Sequence, residues 1–251
     1  MYQTIDRPAD GYRFIPAVFQ YSGGVAALPG HRIERVRFAD PVPLAEGFAR
    51  IAAYLSEIGR PLTAFCACEL RSPGQFTEEG FRQFNLGYAK TLGDWGILAE
   101  GHNPVARSNV CPEIDPPAAP GFHAFSYTLP DAGAGPSFVN AGSGESTEGK
   151  GSYAEATIAR GDTSPAGMLR KAQFVLGEME RRMAALGGSW AMATAVQVYT
   201  VHDIHPFLAG ELVRRGAARH GLAWHYCRPP VLDLDYEMDC RALPLERVIA
   251  G

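Results

Sequence analysis

The chain is predicted to be an α+β protein of two tandem units, each a mixed β-sheet with two helices on one face. Three observations carry this reading. The order strand, strand, helix, strand, helix, strand, strand runs twice along the sequence. The stretch Pro130-Asp131-Ala132-Gly133-Ala134-Gly135-Pro136 stands between the two runs and has the composition of a linker. The chain has 251 residues, 46% of them hydrophobic and 20% charged, enough for one large core or two of ordinary size. The expected division is an N-terminal domain over residues 1–130 and a C-terminal domain over 137–251.

In the first run, residues 1–16 read as an arm without clear period. Residues 17–28 are apolar and β-prone around Gly23-Gly24, and residues 32–38 are expected to complete a hairpin with them. Leu44, Phe48, Ile51, Leu55 and Ile58 recur at helical spacing, and Gly59 closes that helix. Residues 62–70 form a buried strand. Thr77, with Glu78 and Glu79, opens a second helix whose inner stripe is Phe81, Phe84 and Tyr88. Extended runs begin at Arg107 and at Gly121.

In the second run, residues 137–142 form the opening strand. Ser164-Pro165 caps a helix with Met168, Ala172, Val175, Met179 and Met183 inward, and Gly187-Gly188 stop it. Residues 192–201 match 62–70, and residues 206–220 are a second helix ended by Gly221. A closing strand pair covers 225–240. Its alternation puts Asp235, Glu237 and Asp239 on one face, with Leu234, Tyr236, Met238 and Cys240 on the other. Three carboxylates on one strand face repel one another, so they must meet solvent, an arginine or a site that uses them.

A formal charge of -4 argues against nucleic acid as a partner. No apolar run reaches the length of a membrane span, and no secretory signal is visible. Five scattered cysteines suit reduced thiols in a cytoplasmic protein. His202-Asp203-x-His205 reads as a turn and helix cap rather than a metal set, and no cofactor motif is present.

The element order resembles the RidA (YjgF) family, with Tyr21-Ser22-Gly23, Ala106-Arg107-Ser108-Asn109-Val110 and Tyr236-Glu237-Met238-Asp239 in the matching places. The resemblance implies tandem domains of the RidA, or chorismate-mutase-like, fold. It implies an arginine, Arg107, that holds a substrate carboxylate, and a glutamate, Glu237, that orients or activates water. Their bland readings are a surface salt bridge and an outward-facing strand carboxylate. The first half has no acid on its last strand, and the second half has Trp224 near the place of the arginine. A complete site would therefore need both halves. Tyr21, Ser22, Gly23, Asn140 and Gly142 would line the cleft.

A second resemblance, to chorismatases, rests on Cys227-Arg228 ahead of Glu237 and makes Arg228 the rival carboxylate anchor. The expected function is a cofactor-free hydrolase or deaminase that adds water at the C=N carbon of a small imine or enamine carboxylate. The rivals are a chorismatase-like release of pyruvate and a non-catalytic small-molecule binder. The family also implies a homotrimer, in which apolar sheet faces are hidden between chains.

Overall fold

The computed structural model describes residues 2–98, 101–147 and 151–250. The first half contains β1 (Ile5–Arg7), β2 (Tyr12–Phe14), β3 (Gly24–Ala27), β4 (His31–Pro43), α1 (Leu44–Glu57), β5 (Phe65–Arg71), α2 (Glu78–Asp94), β6 (Ala106–Pro112) and β7 (Gly121–Pro130). The second contains β8 (Phe138–Gly144), α3 (Tyr153–Ala156), α4 (Pro165–Ala185), β9 (Ala195–Tyr199) and α5 (His205–Phe207), which runs into a π-helical turn at Leu208–Val213. Then come β10 (Ala223–His225), β11 (Cys227–Arg228), β12 (Glu237–Ala242) and β13 (Glu246–Ile249).

The helices start where their capping chemistry places them. The Thr77 hydroxyl accepts the Gly80 N–H at 3.0 Å ahead of α2, and Ser164 accepts that of Gly167 at 3.2 Å ahead of α4. The apolar stripes then face the sheets. Phe48, Ile51 and Leu55 of α1 and Tyr88 and Leu92 of α2 pack on one sheet. Met168, Ala172, Val175, Met179 and Met183 of α4 pack on the other.

There are two mixed sheets. One has six strands in the order β11-β6-β5-β7-β4-β13, and the other has seven in the order β1-β2-β3-β8-β12-β9-β10. Within them the order β4-β7-β5-β6 recurs as β8-β12-β9-β10. In each case the last pair is parallel and the other two are antiparallel. The same four-strand order thus occurs in each sheet, with β8 in the place of β4 and not of residues 17–28.

Strand pairing departs from the sequence reading in four places. Residues 17–28 do not form a hairpin with 32–38; they supply only β3, which pairs with β2 and with β8 of the other half. The arm is not irregular, because β1 and β2 extend that same sheet. The closing strands do not pair with each other. β11 adds to β6, β12 lies between β8 and β9, and β13 runs parallel to β4. Local periodicity defines a strand but carries no information about its partner, so pairings that cross the halves are invisible to it. Finally, the alternation of acids holds only inside β12. Asp235 precedes the strand, beyond Asp233 at φ +70°, and its carboxylate turns to Lys171 on α4.

The faces not covered by helices pack on each other. Tyr12, Phe14, Val25 and Ala141 of the seven-stranded sheet meet Ile33, Cys66, Ala67 and Ala106 of the six-stranded one. Around this apolar patch run buried ion pairs. Arg35 grips Glu69 through two bonds of 2.6 and 2.9 Å, and Arg241 of β12 reaches Glu69 at 3.7 Å and Glu246 at 2.7 Å. Buried pairs of this kind add little net stability but are costly to break. The apolar sheet faces that a trimer was expected to hide are thus already covered within one chain.

Candidate functional site

Between the halves lies a cavity of about 220 Å³. The first half contributes Tyr21, Phe81 of α2, and Arg107 and Asn109 of β6; the second contributes Gly142 and Gly144 of β8, Tyr153 of α3, Leu234, and Glu237 of β12. The alternation of β6 makes this possible. Arg107 and Asn109 share one face and look into the cavity, while Ser108 on the other face donates to Asp239 at 2.5 Å.

Arg107 is 3% exposed and, among the described residues, pairs with no carboxylate. Its guanidinium carbon lies 4.8 Å from the centre of the Tyr88 ring, 5.4 Å from Tyr21, 5.7 Å from Phe81 and 5.9 Å from Phe84. Aromatic faces attract a cation but do not satisfy its N–H groups, and Nη1 has no hydrogen-bond partner among the described residues. The site therefore presents a buried positive charge with unused donors, the setting in which a bidentate carboxylate binds best.

Glu237 is 4% exposed, and no hydrogen bond from the described residues reaches its carboxyl. Burial pushes its pKa well above the usual carboxylate value. The neighbouring charges of Asp239 and Glu145 push the same way, and Arg107 and Arg71 oppose them. Asp239 itself is fully engaged. Ser108, Tyr199 (2.8 Å) and Gln197 (2.8 Å) all donate to it, so it serves as a fixed negative charge behind Glu237.

Space for the carboxyl of Glu237 comes from Gly142, on the neighbouring strand of the same sheet. Its location on the cavity wall is imposed by a second buried cluster. Glu145 accepts the backbone N–H of Asp235 at 2.6 Å and of Tyr236 at 3.1 Å, directly ahead of Glu237. Lys171, fully buried on α4, donates to Glu145 at 3.2 Å and to the Asp235 carboxylate. The end of β8, the turn into β12 and α4 are thereby tied at one point. Gln75 performs a similar task on the loop opposite, donating to the carbonyls of Pro229, Val231 and Leu234.

Of the residues expected at the site, Arg107, Glu237, Tyr21 and Gly142 line one cavity. The others lie elsewhere. Arg228 is on β11 with its guanidinium paired to Glu113 at 2.8 Å, half-exposed and outside the cavity, so it is already neutralised by the protein. Cys227 is buried against Val110 and Tyr199, where desolvation raises its pKa. Ser22 and Gly23 are held in backbone pairing with Val105 and Ile15. Asn140 faces α4 and donates to the Met179 carbonyl at 3.0 Å. Asp203 caps the turn at His205, accepting its N–H at 3.0 Å.

Comparison with known proteins gives a consistent picture. A family model described as 2-aminomuconate deaminase CnbZ matches residues 4–247. A protein of Comamonas testosteroni named 2-amino-5-chloromuconate deaminase is 52% identical over 241 residues, 95% of this chain and 96% of its own. Two solved structures of cyanuric acid hydrolase are distantly similar. One, from A. caulinodans, is 13% identical with a TM-score of 0.42, covering 86% of this chain and 67% of that one. The other is 10% identical with a TM-score of 0.43, covering 84% and 67%. The family these matches show is that of 2-aminomuconate deaminase, where short motifs and element order had suggested RidA. The chain belongs to the 2-aminomuconate deaminase CnbZ family.

Proposed function

We propose that this protein is a hydrolytic deaminase of 2-aminomuconate-type enamine carboxylates, with Arg107 as carboxylate anchor and Glu237 as the proton-transferring group. The observation that carries this reading is the shared cavity. A buried, unpaired arginine from one half and a buried carboxyl with a raised pKa from the other line the same space. Such a combination of perturbed titratable group and unused charge in one cleft is what a catalytic site requires. The family and the 52% identical relative supply the substrate class.

The chemistry follows from the protonation state. Glu237 in its acid form donates a proton to carbon, turning the 2-enamine into the electrophilic 2-iminium. The resulting carboxylate takes a proton from water as its oxygen adds to C2. The carbinolamine so formed loses ammonia as the same carboxyl returns the proton to nitrogen and takes up the hydroxyl proton, which leaves a 2-oxo acid and Glu237 again in its acid form. Arg107 holds the adjoining carboxylate, fixing C2 within reach of Glu237. The recurrence of one strand order in both halves supports the tandem-unit reading. The halves have specialised, each keeping one of the two essential groups.

The test is stoichiometric. Purified protein incubated with 2-aminomuconate should release one ammonia per 2-oxo acid trapped as its hydrazone, and Glu237→Gln should suppress both. Absence of ammonia release from wild-type protein, or unchanged release from the variant, overturns the reading. The chorismatase-like alternative loses its support because Arg228 is engaged by Glu113 away from the cavity.

A further inference from the structure

The cavity contains a second orphaned donor. Asn109 is 3% exposed, lines the cavity two residues after Arg107 on the same face of β6, and its Nδ2 has no partner among the described residues. Its other end is occupied, because the Ser72 hydroxyl donates to Asn109 Oδ1 at 2.9 Å. Ser72 is itself fully buried, and its backbone N–H donates to the Val110 carbonyl at 3.0 Å, so it is fixed relative to β6. Rotation of the amide would cost that bond.

A buried amide N–H₂ without an acceptor is costly and uncommon in folded proteins. Two such donors, Arg107 Nη1 and Asn109 Nδ2, two residues apart on the same face of β6, are what one shared acceptor from outside the protein would satisfy. We propose that Asn109, oriented by Ser72, donates a second hydrogen bond to the substrate carboxylate that Arg107 anchors. A neutral amide adds a bond there without placing a second positive charge beside the guanidinium, which would repel it. It also recognises a planar carboxylate by direction rather than charge alone, so it discriminates against anions whose oxygens are arranged otherwise. This assignment rests on the cavity being the substrate site, and it adds a specificity-determining residue to it.

The probe is muconate, the unreactive dicarboxylate that lacks the amino group, with binding measured by calorimetry alongside turnover of 2-aminomuconate. Asn109→Leu should weaken muconate binding by roughly tenfold or more, as expected for a lost hydrogen bond to a charged group. It should raise KM by a similar factor while kcat stays near the wild-type value. Ser72→Ala leaves the donor in place but unfixed, and should show the same pattern with a smaller loss. It carries the test if Asn109→Leu does not fold. If Arg107→Met removes muconate binding but Asn109→Leu and Ser72→Ala bind it as tightly as wild type, the role of Asn109 is overturned and the cavity reading stands. If none of the three alters muconate affinity, the substrate site lies elsewhere and both readings fall.

Discussion

The carboxyl of Glu237 occupies the space a side chain on residue 142 would take. A Cβ built on Gly142 would lie 2.2 Å from Glu237 Oε1 and 3.1 Å from the backbone of Ser108. Three elements of the site, β8, β12 and β6, thus meet at a point with no room for one more carbon. Gly142→Ala should push the carboxyl out of position and lower kcat on the order of 100-fold, the cost of a misplacement of about 1 Å. Removing the carboxyl first, as Glu237→Ala, should make the Gly142→Ala change nearly silent in turnover. A double-mutant cycle in kcat checks this coupling.

Activity should also depend on pH with a definite sign. Proton donation to carbon needs Glu237 in its acid form, and burial with two nearby carboxylates keeps that form populated well above the usual carboxylate range. The rate with 2-aminomuconate is therefore expected to fall as pH rises through the raised pKa. In Glu145→Gln one of the like charges is gone, so the falling limb should move to lower pH. A limb that stays in place would show that Glu145 exerts no such influence.

The same shift bears on stability. Where the folded pKa is raised, the folded state holds a proton that the unfolded chain has released, so stability declines as pH rises between the ordinary carboxylate value and the raised one. The slope from this one group is at most about 1.4 kcal/mol per pH unit. Glu237→Gln removes the decline, and its melting temperature relative to wild type should rise with pH. Paired thermal melts from pH 4 to pH 8 read this directly.

Lys171 stands at the centre of the other buried cluster. Lys171→Met leaves the Glu145 and Asp235 carboxylates buried without their cation and should cost about 3–5 kcal/mol in denaturant unfolding. Breaking the exposed Arg228–Glu113 pair by Arg228→Ala should cost no more than about 1 kcal/mol and leave turnover intact.

Much of this was legible in the sequence where chemistry is local. The helices of the first half, the cap at Ser164 and the repeated element order follow from periodicity and capping residues. Arg107, Glu237, Tyr21 and Gly142, named from short motifs, line one cavity. Lys171 was also detectable. It lies three residues after Met168 and four before Val175, on the inward stripe of α4, where a lysine demands buried carboxylates. Asn109 carried its signal in the same way, two residues from Arg107 on one strand. Ser22, Gly23, Asn140 and Cys227 were misplaced because being near a motif in sequence does not decide which face of a sheet a residue takes. Arg228 was misread because its partner, Glu113, comes from a strand pairing that crosses the halves. Such pairings are settled by tertiary packing alone.

In the proposed reaction Arg107 and Glu237, from opposite halves, act on one substrate with divided roles. The most direct measurement compares muconate affinity and ammonia release in Arg107→Met and Glu237→Gln. Arg107→Met should lose muconate binding and raise KM for 2-aminomuconate. Glu237→Gln should bind muconate at least as tightly as wild type, since it no longer risks a buried negative charge near the ligand, yet release ammonia at least 100-fold more slowly. Equal loss of binding in both variants, or ammonia release that survives in Glu237→Gln, would contradict the division of roles.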